Sequence, residues 1–102
     1  MPSIQQALLR LERELSQVRQ KKTIALKLIH GYGSSGMGGD IRLAVQRRLR
    51  ELVDAGEVRA CIFGEHWSRS DEVSWRLIQE HPELKGDSDL GRANQGITIV
   101  IL

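Results

Sequence analysis

TIALKLIHGYGSSGMGGDIRLAVQRRLRELV, residues 23 to 53, changes its hydrophobic pattern midway, and the reading of that change decides the fold. TIALKLIH, 23 to 30, is rich in Ile and Leu and too short for a globular helix, which predicts a mostly buried strand. After Asp40 the apolar residues Ile41, Ala44, Val45, Leu49, Leu52 and Val53 fall on one side of a helix, with Arg42, Arg47, Arg48 and Arg50 on its other side. Asp40 is the expected cap of that helix. Gly56, just past the last apolar position, suits its left-handed C-terminal residue. Between strand and helix, HGYGSSGMGGD places five glycines in eleven positions, 30 to 40.

Working outward, Ser3 followed by Gln6 is a capping-box pattern, and Ile4, Leu8, Leu11, Leu15 and Val18 make one apolar stripe. An amphipathic helix is expected over roughly residues 3 to 20. VRACIF (58 to 63) and GITIVIL (96 to 102) read as two more strands, the last apolar on both faces and so inside a covered sheet. Residues 64 to 95 are a long, polar, acidic insertion. In it, Ser68-x-x-Asp71 ahead of Val73, Trp75, Leu77 and Ile78 predicts a short helix from about 71 to 81, ended by Pro82. The order helix-strand-helix-strand-short helix-strand gives an α/β fold, a two-layer sandwich of helices on a small mixed or parallel sheet. Three strands make that sheet thin.

The chain has 102 residues, which bounds it to one domain over 1 to 102. Its 40% hydrophobic and 27% charged residues, with a mean hydropathy of −0.31, are ordinary for a globular protein and leave no membrane span. A single cysteine, Cys61, cannot form an internal disulfide or a cysteine-based zinc cluster; it reads as a small buried hydrophobe in a cytoplasmic protein. Net charge is only +2, but residues 1 to 59 hold eleven Lys/Arg against six Asp/Glu, and residues 60 to 102 hold four against seven. The basic part carries the glycines, which points to an anionic partner there.

Gly31, Gly33 and Gly36 form a literal G-x-G-x-x-G, yet the context of a dinucleotide fold fails. Met37, Gly38 and Gly39 intervene before the helix, the candidate acid Glu65 is too distant, and no room remains for the second half of such a fold. A P-loop fails because Asp40-Ile41, not Lys and Ser/Thr, follows the last glycine. No cofactor motif survives. Two readings remain: a loop of no special chemistry, or a loop running into a helix N-terminus whose free N–H groups receive a phosphate. In the second, Lys27, His30 and Arg42 add charge or hydrogen bonds, and Tyr32 can stack on a base.

LIHGYGSSGMGGDIRLAVQRRL, with the following strand and the terminal GITIVIL, resembles the Smr domain, the small MutS-related module. That family's second signature is a strand ending in H-G-x-G-x-G, followed closely by a Leu-Arg that starts a helix. His30, Gly31 and Gly33 fall on its first three defined positions, and Ile41-Arg42 on the Leu-Arg, so that Gly39 matches the third glycine and Ser34 to Gly38 extend the loop. The resemblance implies a domain acting on nucleic acid, DNA or RNA, with the loop against a phosphodiester backbone and His30 beside it as acid, base or orienting donor; a nicking endonuclease is one outcome. The alternative is a binding or adaptor module that holds the backbone without cutting. The family's first signature, a strand ending L-D-L-H-G, is not matched, because Met1-Pro2 stands where that strand should end. The exposed sheet edge this implies invites pairing with a second copy of the chain.

Among the remaining residues, His66 and His81 have no ligand spacing and read as surface residues, so no metal site is expected. Asp87-x-Asp89-x-x-Gly91 only faintly matches a calcium loop. Trp75 is expected to pack the short helix. Trp67 reads either as a hinge anchor or as an exposed contact. Arg92-Ala93-Asn94-Gln95, ahead of the last strand, reads first as a plain loop and second as a flank of the site.

Overall fold

The computed structural model describes residues 3–21, 24–31 and 36–102; Tyr32 and Gly33 of the glycine loop lie outside them. In chain order the elements are α1 (Ile4–Gln20), β1 (Ala25–Ile29), α2 (Gly36–Asp54), β2 (Ala60–Phe63), a 3-10 turn at Gly64–His66, α3 (Glu72–Glu80), a second 3-10 turn at Pro82–Gly86, and β3 (Ile97–Ile101).

The capping box forms as the sequence predicts. Gln6 N–H donates to Ser3 Oγ at 3.1 Å, and Ser3 N–H donates to Gln6 Oε1 at 2.9 Å. Of the α1 stripe, Leu11 and Leu15 are buried. α2 begins at Gly36, four residues ahead of the expected cap at Asp40. Helix formation is cooperative, so the turns anchored by buried Ile41 and Val45 carry poor formers ahead of them, in a first turn whose N–H groups have no intrahelical acceptor to lose. Its far end is a Schellman closure: Glu57 N–H reaches Leu52 O at 2.9 Å and Gly56 N–H reaches Val53 O at 3.0 Å. Gly56 takes φ +77°, the left-handed geometry assigned to it.

The sheet has the order β1-β3-β2, and both pairings are antiparallel. The expectation of a mixed or parallel sheet is therefore corrected. β1 and β2, joined through α2, point the same way but are not neighbours; β3 lies between them and runs against both. The cause is the route of residues 64 to 95, which reverses the chain before β3. It is also the character of β3, which is buried at all five positions and therefore belongs in the centre, where both faces and both edges are covered.

Two layers become three. Val100 faces Leu28, Leu11, Leu15, Leu49 and Leu52, the helical side. Its neighbours Ile97, Ile99 and Ile101 face the other way and pack with Ile62, Trp67, Leu77 and Ile78. The acidic insertion is thus the second covering layer and not a loop over the surface. Asp71, rather than Ser68, caps α3 by accepting from Ser74 N–H at 2.9 Å. The helix buries Ser74, Leu77 and Ile78, which turns Trp75 outward; it is 40% exposed and does not pack the core as expected. The buried tryptophan is Trp67, at 0% exposure, so of its two readings the anchor holds. His66 is exposed as expected, whereas the His81 side chain is only 12% exposed, tucked where α3 gives way to the second 3-10 turn. Cys61 is half-buried against the helical core, and burial pushes its thiol pKa up, which keeps it protonated and unreactive. No helix among the described residues is long and apolar enough to cross a membrane.

Candidate nucleic-acid interface

His30 stands where β1 ends. Its backbone N–H and that of Gly31 both donate to Gly96 O at 3.0 Å, so the start of the glycine loop is fastened to the residue preceding β3. Gly31 takes φ +76°, a geometry that a side chain would strain. The imidazole is held at both nitrogens. Nδ1 lies 2.8 Å from Gly31 O, and a carbonyl can only accept, so Nδ1 carries the proton. Nε2, 3.0 Å from Thr98 Oγ1, is then the acceptor of the threonine hydroxyl. Thr98 is fully buried in β3. Burial pushes the His30 pKa below its usual value; the Gly31 carbonyl works against that shift, and the nearby positive charge of Arg42 adds to it. The ring is thereby kept neutral near neutral pH.

Arg42, in the second turn of α2, donates from Nη1 to Glu65 Oε2 at 3.1 Å. Gln46, four residues on and therefore on the same face of the helix, donates from Nε2 to the other carboxylate oxygen at 3.0 Å. Glu65 comes from the 3-10 turn that follows β2. Its carboxylate satisfies Gln46, which is 4% exposed and would otherwise be an unpaired buried amide. Glu65 also acts on His30 through space, so one site joins His30 and Thr98 to Arg42, Gln46 and Glu65. Glu65 was not readable as a member of this site. Its distance in sequence excludes it from a dinucleotide motif, and only the placement of β2 brings it to α2.

The remaining site residues divide. Gly36 and Gly39 form the first turn of α2, which contains no acidic side chain. Such a turn exposes unpaired N–H groups at the positive end of the helix dipole. Lys27 is elsewhere: its Nζ lies 3.1 Å from Asp87 Oδ1 and pairs closely with Asp89 Oδ2. The hydrogen bond to Asp89 raises its pKa, and Asp89 is lowered in return. In this arrangement Lys27 locks the insertion onto β1, and its charge is spent on two carboxylates. The same contact fills the Asp87-Asp89 pair that faintly matched a calcium loop. Among the described residues no group of three or more His, Cys, Asp or Glu side chains converges to hold a metal. Compared with known proteins, the chain matches no family model, no curated protein and no solved structure.

Proposed function

We propose that the protein is a nucleic-acid-binding domain of Smr type, gripping a phosphodiester backbone where the glycine loop enters α2. The observation that carries this reading is the first turn of α2, built from Gly36 to Gly39 with no acidic side chain, at the head of a nineteen-residue helix. Backbone N–H groups without a competing carboxylate, three of the four on glycines that have no Cβ to hold a ligand off, are what a phosphate oxygen needs. Arg42 stands one turn further on, and Arg47 and Arg50 continue along exposed positions of the same helix. The resemblance of HGYG and GDIRL to the family signature points to the same contact.

Cleavage of the backbone is the second reading, and the neutral state of His30 favours it, because a base must begin unprotonated. In that role His30 takes a proton from the attacking group while α2 and Arg42 stabilise charge on the phosphate. The ring must first give up its bond to Thr98, which is why holding, rather than cutting, is the primary proposal.

Titration with labelled DNA and RNA across a salt series tests the primary reading. Affinity should fall linearly on a log–log plot as phosphate contacts release counterions, and an Arg42→Ala variant should flatten the slope by about one contact. Salt-independent binding, or none, overturns it. Nicking assays of the same mixtures, with and without a chelator, test cleavage; products unchanged in His30→Ala remove His30 from it.

A further inference from the structure

An open cleft of about 590 Å³ lies between Ser88 and Gln95, on the segment that leads into β3. Its size is that of a small-molecule subsite. The wall is stiff. Asn94 donates from Nδ2 to Asp89 Oδ1 at 2.9 Å and accepts from Gly96 N–H at 2.8 Å, and Asp89 is in turn clamped by Lys27. Ala93 is held at φ 52°, a left-handed geometry unusual for a residue with a side chain. Backbone strain of this kind persists only where the surroundings impose it, and it gathers at ligand sites. While Asp89 and Asn94 are engaged with each other, with Lys27 and with Gly96 N–H, Ser88, Arg92 and Gln95 are exposed, with no hydrogen bond from their side chains among the described residues.

Charge and position identify the ligand. Lys27 and Arg92 balance Asp87 and Asp89, so the cleft has no excess charge to draw a phosphate. A neutral group that offers hydrogen-bonding edges and a flat face suits it better. Gln95 adjoins Gly96, the residue whose carbonyl fastens His30 and Gly31, so the cleft borders the start of the glycine loop. We propose that this cleft receives an unpaired base of a single-stranded nucleic acid, with the Arg92 guanidinium against its face and Gln95 on its edge. The proposal rests on the nucleic-acid reading above and makes it specific: a duplex keeps its bases stacked and cannot fill the cleft.

The test is fluorescence anisotropy with short labelled single strands of RNA and of DNA and with the matching duplexes, against the full chain and two variants. Ser88→Trp fills the cleft; Gln95→Ala removes an exposed edge contact and leaves the wall intact. The native chain should bind at least one kind of single strand about tenfold more tightly than its duplex, the scale of one stacked base. Both variants should lower that preference while duplex affinity and its salt slope stay unchanged. Equal affinity for strand and duplex, or a preference untouched by both variants, overturns the cleft and leaves the backbone reading standing. If neither strand nor duplex binds, both readings fall. A free mononucleotide that matches the strand's affinity also overturns the proposal, since it would make the cleft a nucleotide site independent of a chain.

Discussion

On one face of the sheet, Leu28 and Val100 meet Leu11, Leu15, Leu49 and Leu52 from helices of 17 and 19 residues; on the other, Ile97, Ile99 and Ile101 meet Trp67, Leu77 and Ile78 from a segment whose α-helix has only 9. The helical face is cohesive because periodic Leu and Val positions repeat the same contact, and a helix that loses one keeps its neighbours. The second face has little such redundancy. It is stitched by long-range contacts: Trp67 Nε1–H to Asp87 at 3.0 Å, Gly91 N–H to Trp67 O at 2.9 Å, and Lys27 to Asp87 and Asp89. Cohesion by repetition and cohesion by single anchors should fail differently.

Trp67→Ala is the largest expected effect. A fully buried aromatic side chain and a hydrogen bond disappear together, costing about 3 to 5 kcal/mol, against roughly 2 to 5 for Leu49→Ala on the helical face. Urea unfolding gives the sizes, and amide exchange gives the distinction. In Trp67→Ala, protection should vanish first across residues 64 to 95, with α1 and α2 still protected; in Leu49→Ala it should weaken throughout. Uniform loss in both would dissolve the contrast between the faces.

Gly64→Ala follows. A Cβ there would overlap Asn94 O and lie 2.8 Å from Ile97 O, and neither backbone atom can swing aside. About 1 to 3 kcal/mol should be lost as the insertion is pushed off β3. Gly56→Ala, by comparison, meets open space and suffers only from its φ of +77°, so it should cost about 1 to 2 kcal/mol. Equal exchange protection of residues 87 to 96 in both variants would refute the packing role of Gly64.

The same contrast explains what could be read from the chain. The capping box of Ser3 and Gln6, the stripe through Leu11 and Leu15, the closure at Gly56 and the apolar β3 are local patterns, and each appears where the spacing placed it. Strand order was not legible, because nothing in VRACIF or GITIVIL says which neighbour each will take. The layer over the second face was hidden for a related reason. Its anchors, Trp67, Leu77, Ile78, Leu84 and Leu90, are scattered among charged residues without a sustained period, and the polar partners of Trp67 and Lys27 lie 20 and 60 positions away. The site was half visible: HGYG and GDIRL mark His30 and Arg42, but Thr98 and Glu65 enter only through the placement of β3 and β2.

Glu65 offers a smaller and more pointed test, because it belongs to the insertion yet holds a residue of the helical layer. Its carboxylate pairs with Arg42, so under the proposed backbone contact it would compete with a phosphate for that side chain. Glu65→Gln keeps an oxygen for the Gln46 amide while removing the charge, and affinity for nucleic acid should rise by up to about fivefold, the worth of a partly exposed ion pair. Arg42→Ala should lower affinity, and in its presence Glu65→Gln should have no further effect. A gain that survives the loss of Arg42 would mean that Glu65 acts only as a general repulsive charge.

The smallest effect lies in His30, the point where the two halves meet at the end of β1. Its pKa in the folded protein is pushed below the ordinary 6.5, first by burial and then by Arg42, so the unfolded chain holds the proton more readily than the folded one. Stability from this residue is complete above about pH 6.5 and is lost as pH falls through the lower folded value. Protonation also puts a hydrogen on Nε2, which must then donate to Thr98 Oγ1 instead of accepting from it, and leaves the buried hydroxyl without its acceptor. Thermal unfolding of the wild-type chain should therefore show a modest decline in melting temperature between pH 7 and 5 that His30→Gln lacks. Loss of amide protection at Thr98 and Gly31 should accompany it. An identical decline in the variant would remove His30 as the source of the acid sensitivity.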